Sequence, residues 1–148
     1  MVSDERSSDL QMTAQILREY LRNRTDVLAA YLFGSLVTGK ARSRSDADLA
    51  LLFCSGLDKF ARFDRQMEVA LDLERLLSRK VDVLDMQSAP PILQHQILRS
   101  SELLLDRMPG RRKEFEVNSR RVFLELQPHY ARRTEALLKK FRGGDRDG

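Results

Sequence analysis

The chain has 148 residues, 42% hydrophobic and 32% charged, which suits one soluble α/β domain. No apolar run approaches the roughly 20 residues of a membrane helix, and MVSDERSSDL at the start lacks the basic-then-apolar pattern of a secretory signal. One cysteine, Cys54, excludes an internal disulfide and a cysteine-based metal cluster, so a cytoplasmic location is expected.

The net charge of +4 is unevenly placed. From Gly110 onward eleven Lys/Arg stand against six Asp/Glu, which leaves the first 109 residues at −1. The basic character therefore belongs to a C-terminal segment, read either as a solvated helix face or as a docking surface for an acidic partner or nucleic acid.

In chain order, Leu10, Thr13, Ala14, Leu17, Tyr20 and Leu21 recur at helical spacing and predict an amphipathic helix over 8–22, with Ser8 or Asp9 as its cap. The continuous apolar run Val27–Phe33 reads as a strand buried on both faces, stopped by Gly34. A polar stretch to Ser45 follows, then a second apolar run, Ala47–Phe53, interrupted only by Asp48. Residues 60–77 form the strongest helical pattern, with Phe60, Phe63, Met67, Ala70, Leu71 and Leu77 as one stripe. Residues 80–86 predict a third strand, and Ser88 is placed to cap a helix that begins at Pro90-Pro91. An apolar patch, Leu103-Leu104-Leu105, precedes a long basic helix over 111–141, bent at Pro128. Three units are expected: a domain over 1–107, a basic helical extension over 108–142 and a disordered tail over 143–148. The fold class is α/β, a small mixed sheet of about three core strands covered by helices, with a long C-terminal helix.

Asp46 and Asp48 are two apart at the start of a buried strand, so both carboxylates point the same way. Like charges this close repel unless a cation lies between them, and a carboxylate inside an apolar strand is costly without a partner. Mg²⁺, which takes oxygen ligands and sits on carboxylates together with substrate phosphates, answers both costs. Gly34-Ser35 lies where a buried strand gives way to a turn, and free N–H groups there with the serine hydroxyl suit phosphate oxygens. Ten residues separate Ser35 from Asp46, giving G-S-x10-D-x-D. The third strand offers Asp82 and Asp85 on opposite faces. Asp82, between Val81 and Val83, reads as the more interior of the two and as the candidate third carboxylate, and Asp85 as an exposed or capping residue.

This compound pattern resembles the DNA polymerase β-type nucleotidyltransferase superfamily. The stretch from Tyr31 to Leu105, Ser45-Asp46-x-Asp48-Leu49 within it, and Val81-Asp82 followed by Ala89-Pro90-Pro91 are similar to its minimal nucleotidyltransferase (MNT) branch. The resemblance implies that Asp46, Asp48 and Asp82 are catalytic and bind Mg²⁺, while Gly34, Ser35 and Ser45 hold the nucleotide. It further implies ATP as nucleotide donor and a HEPN-type RNase toxin as partner and substrate, silenced by adenylylation of a tyrosine. Many members of the family carry an arginine near Thr38 and a glycine near Ser100 or Ser101, and neither is present; Lys40, Arg42 and Arg44 lie in the same loop. Two other readings are a nucleotidyltransferase acting on a small molecule or an RNA end, and a non-catalytic antitoxin that neutralises by binding through its C-terminal helix.

Overall fold

The computed structural model describes residues 2–34, 37 and 47–144. Ser35, Ser45 and Asp46 lie outside the described residues, as do Lys40, Arg42, Arg44 and residues 145–148. The elements are α1 (Val2–Arg22), β1 (Val27–Phe33), β2 (Ala47–Phe53), α2 (Lys59–Leu77), β3 (Val81–Asp85), α3 (Pro91–Ser100), β4 (Glu102–Asp106) and α4 (Pro109–Gly144). No helix among the described residues is long and apolar enough to cross a membrane.

The sheet has four strands in the order β3-β2-β1-β4, one more than the sequence pattern predicts. β1 is antiparallel to both its neighbours, and β2 and β3 run parallel. The additional strand, Glu102–Asp106, has the patch Leu103-Leu104-Leu105 at its centre: five residues at a sheet edge, with Leu103 paired to Tyr31. A run this short has no period of its own, and only its partner strand reveals it.

Alternation along the strands sends side chains to two faces. Ala30, Leu32, Leu49, Leu51, Phe53 and Val81 join Leu17 and Leu21 of α1 and Val69 and Leu73 of α2 in one core. Tyr31, Ala50, Leu52 and Met86 join Ile97 of α3 in the other, with Phe115 of α4 packed against it. Helices therefore cover both faces, which is why β1 reads as an unbroken apolar run and β2 as one broken only by Asp48.

Three local expectations change. α1 begins at Val2, so Ser8 and Asp9 lie inside it rather than capping it. Ser88 does not cap α3, whose preceding residue is Pro90 with no side-chain cap; its hydroxyl donates instead to Asp85 Oδ2 at 2.7 Å. The stripe on α2 is not the core face: Phe60, Phe63, Met67 and Leu71 are all exposed, Phe60 by 71%. α2 packs through Val69 and Leu73 in line with Arg62 and Gln66. Gln66 donates to the Val83 carbonyl at 2.6 Å and Arg62 pairs with Asp85 at 2.8 Å. Polar heads that find partners on the strand make a packed face look polar in sequence.

α4 runs unbroken from Pro109 through Pro128 to Gly144. Its first turns are tied to the sheet by Arg112, paired with Asp106 and Glu116 at 3.0 Å each. At the other side, Arg107 closes the end of α1, donating to the carbonyls of Leu21, Arg22 and Arg24 and of Val27. Leu21 and Arg22 carry two of the last carbonyls of the helix, which have no partner within it.

Asp26, after α1, is held by Arg24 and Arg65 at 2.9 Å each. Burial alone would raise its pKa, but the hydrogen bond from Arg65 and the charge of Arg24 bring it below the ordinary carboxylate value. A depressed folded pKa contributes stability that is present above the unfolded value near 4 and lost as pH falls through the folded one. In acid titrations of the melting temperature, Asp26→Asn is expected to flatten the fall below about pH 4, with the wild-type and variant curves converging at the acid end.

Candidate active site

β1 ends at Phe33, whose partner across the antiparallel pair is Asp48. On the other side of β2, Asp48 is paired in parallel register with Asp82. Laterally paired residues share a sheet face, so Phe33, Asp48 and Asp82 project together, on the side covered by α3 and α4. Neighbouring strands lie about 4.8 Å apart, which sets two carboxylates side by side at the start of both strands.

Gly34 completes this corner. It has φ of +82°, and a Cβ built on it would fall 2.1 Å from Asp48 Oδ2. Two independent constraints therefore select glycine: the left-handed backbone and the carboxylate lying against it. The Val37 N–H donates to the Gly34 carbonyl at 3.2 Å. Gly34→Ala is expected to destabilise by at least about 2 kcal/mol, roughly half of it backbone strain. In an Asp48→Ala background the steric part disappears, so thermal melts around the four-member cycle should show coupling of about 1 kcal/mol; additive effects would mean the carboxylate is not what Gly34 accommodates.

The two acids of β3 exchange the environments read from sequence. Asp85 is buried, 6% exposed, and receives Arg62, the Ser88 hydroxyl and, at 3.0 Å, the Gln87 N–H. Asp82 has a side chain 54% exposed, with Lys80 at 3.8 Å, an exposed pair worth little. The reason lies in strand position. β3 is an edge strand, and Asp82 sits at its start on the face of Asp48, whereas Asp85 faces α2. Flanking valines signal the opposite face of a strand, not the environment of the residue between them.

The described residues thus bring together Gly34, Asp48 and Asp82 and keep Asp85 apart. Among them no cluster of three acidic, histidine or cysteine side chains forms a metal site, and Asp46 lies outside them. Tyr31 is buried, and its hydroxyl donates to Glu116 at 2.8 Å. Burial first, and then the Glu116 acceptor, push its phenol well above the ordinary tyrosine value, so it serves as a neutral donor that anchors α4. No sequence spacing joins Tyr31 to Glu116, which are 85 residues apart.

Residues 15–109, more than half of the chain, match the family described as Polymerase beta, Nucleotidyltransferase. The chain belongs to this family. Among its relatives it is similar to the protein adenylyltransferase MntA of Shewanella oneidensis, 36% identical over 74 residues, a stretch covering 50% of this chain and 50% of MntA. The chain thus matches about half the length of that curated relative. Its fold is similar to that in a crystal structure of a toxin–antitoxin with AMP-PNP, with a TM-score of 0.65 and 26% identity, covering 76% of this chain and 87% of the other. It is similar also to a chain of tri-AMPylated Shewanella oneidensis HEPN toxin in complex with MNT antitoxin, with a TM-score of 0.67 and 25% identity over 87% and 98% of the two chains. For this family member, the expected fold is the observed one, with the long C-terminal helix present.

Proposed function

We propose that this chain is a nucleotidyltransferase that moves AMP from ATP to a hydroxyl group of a HEPN-type toxin, acting as the antitoxin of the pair in the cytoplasm. The observation that carries the proposal is the pairing of Asp48 with Asp82 beside a glycine whose missing side chain makes room for the Asp48 carboxylate. Two like charges in lateral register on adjacent strands repel, and a divalent cation shared between them relieves that repulsion. The donor set is all carboxylate oxygen, which fits Mg²⁺. Asp48 and Asp82, with Asp46, are the residues to hold it. When bound, the ion supplies neutralisation of phosphate charge.

The chain's own contribution is positioning. The turn at Gly34, with Ser35 and Ser45, receives the triphosphate, since a glycine there lets phosphate oxygens approach backbone N–H groups. The acceptor oxygen forms a bond to the α-phosphorus as the bond to the β-phosphate oxygen breaks, and pyrophosphate leaves. Holding the two reactants in line supplies much of the rate. The similarity to an adenylyltransferase and to chains of toxin–antitoxin complexes favours a protein acceptor over a small molecule or an RNA end.

The test is incubation of the purified chain with ATP labelled at the α-phosphate, with and without a HEPN toxin. Label is expected on the toxin only when chain, ATP and Mg²⁺ are all present, with loss of the toxin's RNase activity. Silencing of the toxin with no label transferred would replace this reading by neutralisation through binding.

A further inference from the structure

α3 and α4 meet along a seam that is closed at its base and open above it. The Ser119 hydroxyl donates to Gln94 Oε1 at 2.7 Å. Next along the seam, the His95 ring lies flat on Phe123, with centroids 3.7 Å apart and 3° between planes. Beside this stack opens a cleft of about 560 Å³, walled by Leu98 and Arg99 of α3 and by Val117, Arg120 and Leu124 of α4.

Among the described residues, the charges bordering the cleft that form no ion pair have one sign. Glu116 borders it, but its carboxylate is taken by the Tyr31 hydroxyl and by Arg112. Arg99 and Arg120 are exposed, and neither forms an ion pair among the described residues. Val117 and Leu124 are exposed as well, so two guanidinium groups stand over an aliphatic floor.

The fold sets one end of this cleft at the carboxylate corner. α3 ends at Ser100 and β4 begins at Glu102. Glu102 is paired with Leu32, next to the Phe33–Asp48 pair. The last turn of α3, which carries Arg99, therefore meets the sheet at the strand ends where Gly34, Asp48 and Asp82 converge, and on the same face.

We propose that this cleft docks an acidic segment of the polypeptide that receives the nucleotide, its carboxylates on Arg99 and Arg120 and an apolar or aromatic side chain on Leu98, Val117 and Leu124. The inference rests on the protein-adenylylating reading and adds the chemistry of the acceptor. Arginine forks match carboxylates in bidentate geometry. The volume falls in the ordinary range of ligand pockets, about 300–1,000 Å³, enough for a few side chains of an extended segment rather than a globular face. Single-stranded nucleic acid would also meet the two arginines, but it needs open aromatic platforms. Here the rings of His95, Phe123 and Tyr130 stack on one another.

The deciding experiment titrates fluorescein-labelled poly(Glu,Tyr), an acidic copolymer with tyrosine hydroxyls, with the full chain and follows anisotropy. Saturable binding is expected at low salt, weakening as salt rises, with at least a tenfold loss in Arg99→Glu/Arg120→Glu and no binding of poly(Lys,Tyr). The melting temperature of the variant should fall by no more than a few degrees: neither arginine forms an ion pair among the described residues, and Arg99 contributes only its charge at the last turn of α3. Absence of copolymer binding, or equal binding by the variant, overturns the proposal. So does a uridine oligonucleotide that binds more tightly than the copolymer and is lost in the same variant, since that assigns the cleft to RNA. With a HEPN toxin as acceptor, the variant should raise KM at least tenfold and keep kcat within twofold; an unchanged KM also counts against the cleft. Copolymer binding needs no ATP chemistry. A chain that binds it through these arginines yet transfers no nucleotide keeps the cleft as an acidic-segment site and removes the enzymatic reading.

Discussion

Asp48→Asn is expected to lower nucleotide transfer by about a thousandfold, ~4 kcal/mol in the barrier, while the melting temperature moves by no more than a few degrees. The two halves of this result have one cause. Asp48 lies opposite Asp82 across a parallel strand pair, and like charges directly opposite each other destabilise a sheet. Asparagine keeps the shape that fits against Gly34, keeps hydrogen-bonding capacity and removes one of the repelling charges. The expected change in folding stability is therefore small, and the melting temperature measured beside the transfer rate separates a loss of chemistry from a loss of fold. A second readout separates ligand binding from turnover. Mg²⁺ that binds the folded chain raises the wild-type melting temperature with concentration, and the asparagine variant should show a much smaller rise. Transfer within tenfold of wild type in this variant would remove Asp48 from the site.

The elements that carry this corner were legible because each follows a local rule. β1 is a continuous apolar run and β2 is one broken only by Asp48, as strands covered on both faces are. Glycine at 34 is the residue that a left-handed turn at a strand end requires. The lateral partnership of Asp48 and Asp82 was legible only in part. The sequence places an acid on each strand, but register is a property of two strands together.

What was misread depends on tertiary neighbours. β4 is a strand because Tyr31 and Leu32 of β1 pair with it. The stripe from Phe60 to Leu71 has the period of a core face, yet it lies outside because Arg62 and Gln66 satisfy their polar heads on β3 and bury the opposite side of α2. Arg107 supplies the carbonyl partners at the end of α1 from a position more than 80 residues away. Periodicity counts apolar residues and takes no account of polar ones that find partners, so it fails at faces of this kind.

The same distinction decides between the two acids of β3, and it sets the other large effect. Asp85→Ala is expected to destabilise the fold by ~3 kcal/mol, because it leaves the partly buried Arg62 guanidinium without its carboxylate. For a chain of this length that corresponds to a fall in melting temperature of roughly 10 °C. The carboxylate also organises the turn into α3, accepting from the Gln87 N–H and the Ser88 hydroxyl, so the start of α3 should lose hydrogen-exchange protection first. Replacing both partners with apolar residues, Arg62→Met/Asp85→Leu, should recover much of the stability, since no buried charge then remains. Asp82→Asn should do the reverse: a melting temperature close to wild type, because its side chain is half exposed and its pair with Lys80 is weak, and a loss of transfer comparable to that of Asp48→Asn. The two variants measured together discriminate the roles. If Asp85→Ala melts like wild type and abolishes transfer while Asp82→Asn remains active, the third carboxylate is Asp85 and the site lies on the α2 face of the sheet.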